Sequence, residues 1–97
     1  MKSNCRISWT DGTTTEHTRT MGDTIRALEL LDHQNPGVDP PTTVAMTTVA
    51  WFAWARETGL RHYALLTPAE LVEQVRNDFD LMVSVRYPEL EDIAPEA

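Results

Sequence analysis

The chain's three histidines, single cysteine and fifteen acidic residues are the groups that could do chemistry. A histidine-based metal site usually shows a second ligand three or four positions along the same element. His17, His33 and His62 are not followed by one at i+3 or i+4, so all three read as solvated surface histidines. Cys5 falls on the inward side of an alternating segment, with Arg6 on the other side, and reads as a buried structural thiol rather than a nucleophile. The four glycines form neither GxGxxG nor a phosphate loop. The acids toward the C-terminus are too sparse and irregular to imitate phosphate spacing. They read as a solvated helix face followed by a tail. The expectation is therefore a protein that is not an enzyme, with no catalytic, cofactor-binding or metal-ligating set.

The elements that would position these groups come from periodicity. Ser3, Cys5, Ile7 and Trp9 alternate with Asn4, Arg6 and Ser8, the pattern of a half-buried strand. Asp11-Gly12 then favours a tight hairpin turn, because both residues tolerate positive φ. Residues 13–20 are the return strand, solvated on its outer face. A helix over 20–34 takes Thr20 or Asp23 as N-cap. It places Ile25, Ala27, Leu28 and Leu31 on one face, with Arg26, Glu29 and His33 opposite. Asn35-Pro36-Gly37 ends it, and Val38 to Pro41 is a stiff connector.

Residues 42–58 form the most apolar helix. One face collects Val44, Trp51, Phe52, Trp54 and Ala55. The other carries Met46, Val49, Ala50 and Ala53, and only Arg56 and Glu57 near the end are charged. Gly59 reads as a left-handed cap with Leu60 packing back, and Arg61 and His62 suit the negative helix end. Thr67-Pro68-Ala69-Glu70 is a capping box. The helix after it turns Leu71, Val72, Val75, Phe79 and Met82 inward and Glu70, Glu73, Asn77 and Asp80 outward. Residues 82–87 fit a short third strand or the start of a tail, which Pro88 breaks. The reading is one α+β domain over 1–87, an N-terminal antiparallel hairpin packed on three helices. A mobile acidic tail follows over 88–97.

Composition narrows the partner. The net charge is −7 over 97 residues, which disfavours nucleic acid and anionic membrane surfaces. The N-terminus shows no signal-peptide pattern, no run is long enough to span a bilayer, and the lone cysteine suits a reducing cytoplasm. A protein partner is left. A helix apolar all round needs cover on most sides, and a hairpin with two short helices has little surface to give. Met46, Val49, Ala50 and Ala53, with Glu57 beside them, are accordingly the candidate partner-binding residues.

The order of features resembles a known family. A hairpin with Ile7-Ser8-Trp9-Thr10-Asp11-Gly12-Thr13-Thr14 leads to a helix and a proline-containing connector. Then come Val49-Ala50-Trp51-Phe52-Ala53-Trp54-Ala55-Arg56-Glu57-Thr58-Gly59-Leu60, the Thr67-capped helix and an acidic end. This layout is similar to the small tail assembly chaperones of long-tailed bacteriophages, particularly those infecting actinobacteria. The resemblance implies a non-catalytic factor of the host cell cytoplasm. Such a factor binds the tape-measure protein and helps tail-tube protein assemble around it, with homo-oligomer formation left open. Two alternatives stand beside it: a small acidic regulatory or inhibitory protein (an anti-defence factor or antitoxin), and a minor structural tail or connector protein.

Overall fold

A computed structural model describes residues 3–58 and 66–88. The expected Gly59 cap with Leu60, the placement of Arg61 and His62, and the acidic tail beyond Pro88 lie outside the described residues.

The fold is α+β, in the order β1 (Ser3–Trp9), β2 (Thr14–Arg19), α1 (Met21–Gln34), α2 (Thr42–Glu57), α3 (Pro68–Phe79) and β3 (Met82–Arg86). The sheet order is β2-β1-β3, antiparallel throughout. Residues 82–86 are thus a strand and not the start of a tail. Across the sheet Ile7 is paired with Thr15 on one side and Val85 on the other, and the register shifts between Ser8 and Trp9.

The hairpin is present, but its turn differs from the expected one. Asp11 keeps a negative φ, and in this turn only Gly12 enters the left-handed region, at φ +90°. The connection spans residues 10–13. Asp11 Oδ1 accepts from the Thr13 amide at 2.9 Å and the Thr13 hydroxyl at 2.6 Å. An aspartate that folds back on the backbone two residues ahead closes a turn by itself. These same bonds hold the Asp11 carboxyl below its ordinary pKa.

Capping boxes form at the starts of both α1 and α3. Thr20 and Asp23 close the start of α1, which makes Thr20 the cap and Asp23 its N3 residue. Thr67 and Glu70 do the same for α3.

The chain stacks in three layers with α2 in the middle. On one side of α2, Ala50 and Ala53 meet Cys5, Ile7 and Tyr87 of the sheet layer, with Trp9, Met46 and Val85 at the edge. On the other side, Val49, Phe52 and Ala55 meet Ala27 and Leu30 of α1 and Val75 of α3. Trp51 and Phe52 meet edge to face, with centroids 4.9 Å apart. The helix that is apolar on every side is therefore covered on both sides, by elements of its own chain.

Candidate functional site

The five residues expected to meet a partner do not form an open patch. Ala50 and Ala53 have no exposed surface, Val49 has 5 %, and Met46 is half-buried. The expectation that this face is free is corrected by its cover. The third strand brings Met82, Val85 and Tyr87 onto α2, and alanines let a helix approach a sheet closely. The Tyr87 hydroxyl donates to the Met46 carbonyl and pins the strand's end there. Its burial raises the Tyr87 pKa.

Glu57 lies apart from those four, in a chain of polar bonds that ties β2 to the helices. Its Oε2 accepts from the Thr18 amide at 3.1 Å, and its Oε1 stands 3.0 Å from His17 Nδ1. His17 Nε2 is 2.9 Å from Thr15 Oγ1, which accepts from the Trp9 indole at 2.8 Å. A carboxylate only accepts, so Nδ1 carries hydrogen, and in the neutral ring Nε2 accepts from the Thr15 hydroxyl. His17 is 6 % exposed and not the solvated histidine that the lack of a second ligand on its strand suggests. Beside it, Arg56 forks onto Asp23 at 3.1 and 3.2 Å and donates to the Thr18 carbonyl at 2.6 Å. Asp23 is fully buried. It serves at once as the reciprocal acceptor of the α1 cap and the counter-charge of Arg56. A buried charge is tolerable when it is paired and bonded in this way.

The order hydroxyl, imidazole, carboxylate in Thr15, His17 and Glu57 is also that of an activated nucleophile. Such a site stabilises its oxyanion with preorganised donors, backbone amides among them. The nearby Trp9, Thr10, Gly12 and Thr13 amides all bond within the fold. The arrangement can act as a clasp, and its neighbourhood is built against negative charge.

That neighbourhood is a groove of about 380 Å³ between the β1–β2 turn, α2 and the end of α3. Trp9 and Trp54 line it, with ring centroids 5.2 Å apart, together with Asp11, Thr15, Asp78 and Leu81. Asp78 is 8 % exposed. Its Oδ2 accepts from the Trp51 indole at 2.8 Å, and Gln74 Nε2 stands 3.2–3.3 Å from both oxygens.

A different apolar face is open. In α1 the buried positions are Asp23, Ala27, Leu30 and Leu31. Ile25 and Leu28, expected in the core, are 51 % and 47 % exposed, and Met21 is 73 % exposed. The spacing i, i+4, i+7 sets these three on one stripe, away from the core. The sequence carries this signal, since α1 has apolar residues on two sides. What it lacks is a reason to choose between them. In the structure the buried side is the one that carries Asp23, which meets Arg56 of α2.

Among the described residues no group of three or more His, Cys, Asp or Glu side chains is placed to hold a metal ion. Among them, too, no helix is long and apolar enough to cross a membrane. No family model matches the chain, and neither a curated protein nor a solved structure matches it.

Proposed function

We propose that the chain is a non-catalytic binding protein, a tail assembly chaperone of a long-tailed bacteriophage. In this reading it holds helical segments of the tape-measure protein in the host cytoplasm while tail-tube protein assembles around them. The observation that carries the binding role is the stripe of Met21, Ile25 and Leu28 on α1. An apolar strip at helical spacing, on a chain of net charge −7, suits a helix laid along it while the acidic remainder keeps the pair in solution. The assignment to tail assembly adds the layout resemblance over residues 7–14, 49–60 and 67–70.

Co-expression with the tape-measure protein tests both parts. The chain should keep that partner soluble, and Ile25→Glu with Leu28→Glu should abolish the effect while the variant still folds. A partner that precipitates equally with and without the chain removes the chaperone reading. A partner kept soluble by the double variant moves the site off α1. A stable complex with a host enzyme and none with a tail protein would favour the regulatory alternative.

A further inference from the structure

Asp78 has an unusual set of partners. It is buried, yet its hydrogen-bond donors are the neutral Trp51 indole and Gln74 amide. Among the described residues no Lys, Arg or His pairs with it. Asp23, also buried, has its arginine. A buried carboxylate without a counter-charge is costly, and Asp78 lines a groove walled by two indoles. Asp11 stands at the same groove and is exposed, and its Oδ1 accepts from the Thr13 amide and hydroxyl.

We propose that this groove takes the guanidinium of an arginine side chain projecting from a partner polypeptide. Indole faces attract cations. A carboxylate bonds a guanidinium with two parallel N–H donors. The groove's volume lies within the roughly 300–1,000 Å³ usual for ligand sites. Arginine fits better than lysine because its planar, weakly hydrated head stacks on an indole while forking onto an acid. An anionic ligand would meet Asp11 and Asp78 together with backbone amides that are already bonded. The inference does not rest on the tail-assembly reading, because the groove is built from residues outside the α1 stripe.

Titration followed by the tryptophan indole N–H signals in ¹H–¹⁵N spectra tests it on the full chain. A capped Ala-Arg-Ala tripeptide should shift the Trp9 and Trp54 signals saturably. The same peptide with citrulline, the neutral isostere, should bind at least about tenfold more weakly, and the lysine peptide should fall between them. Asp78→Asn keeps an acceptor for Trp51 and should weaken the arginine peptide by about tenfold or more. If that variant does not fold, exposed Asp11→Asn decides instead, with a loss of about threefold expected. Equal binding of the arginine and citrulline peptides overturns the proposal. So does undiminished arginine binding in whichever of the two variants is read.

Discussion

Helices α1 and α2 exchange the roles their sequences suggest. By its residues α2 has more apolar perimeter than a small domain should hide, yet Ala50, Trp51, Ala53 and Ala55 are completely buried. In α1, Ile25 and Leu28 belong to the face expected to be covered, yet they stay in solvent together with Met21. The difference teaches that a helix's own pattern counts its apolar residues but does not say which of them will be covered. Cover depends on the neighbours: β3 closes α2, and no described element closes the outer side of α1.

The contrast can be broken most forcefully at the middle of α2. Trp51→Ala should cost about 3–5 kcal/mol, read by chemical denaturation, a loss that rivals the whole stability of a small domain. Ala53→Glu places a charge where the sheet touches α2 and should cost about 3 kcal/mol or more. A variant with near-parent stability would mean that the sheet does not seal that face. Asp23→Ala removes the reciprocal half of the α1 capping box and the carboxylate that Arg56 forks onto, for about 2–4 kcal/mol, and a double-mutant cycle with Arg56→Met should show strong coupling.

A subtler reading uses Cys5. Burial, with smaller contributions from Glu57 and Asp23, pushes its thiol from 9.0 up to about 11. The folded state therefore retains a proton that the unfolded state releases. Stability from this group is complete below pH 9 and drains away as pH rises from 9 through 11. Cys5→Ala should flatten the alkaline limb of a pH–stability curve, and at pH 8 the thiol should react with disulfide reagents only as fast as the protein opens. The smallest effect belongs to α1. Ile25→Glu or Leu28→Glu should change stability by no more than about 0.5 kcal/mol, as surface substitutions do. A loss of several times that would show the stripe to be core.

Much of the architecture was legible in the residues. Strong local signals marked the elements: alternation in residues 3–9, threonine caps before α1 and α3, and Trp51 and Phe52 as core anchors. The candidate site was legible only in kind. Apolar residues in excess of the core were expected, but on the wrong helix, because residues 82–87 could be read two ways and the strand reading adds the cover α2 needs. His17 was misread for a related reason. No second ligand follows it on its own strand, which suggests solvent, whereas its carboxylate partner Glu57 lies forty positions away.

Sequence alone determined where β1, α1 and α3 begin, through caps, alternation and turn residues that act within a few positions. It also showed that α2 needs cover on most sides, because a helix without a polar side cannot rest in water, but not that its own chain would supply all of it. Tertiary structure decided the rotation of α1 and the exposure of its stripe. It also decided the pairing of Asp23 with Arg56 and the burial of Asp78 beside two indoles. These follow from contacts between residues distant in the chain, which no local pattern encodes: Asp23 meets Arg56 thirty-three positions away, and Asp78 meets Trp51 twenty-seven positions away.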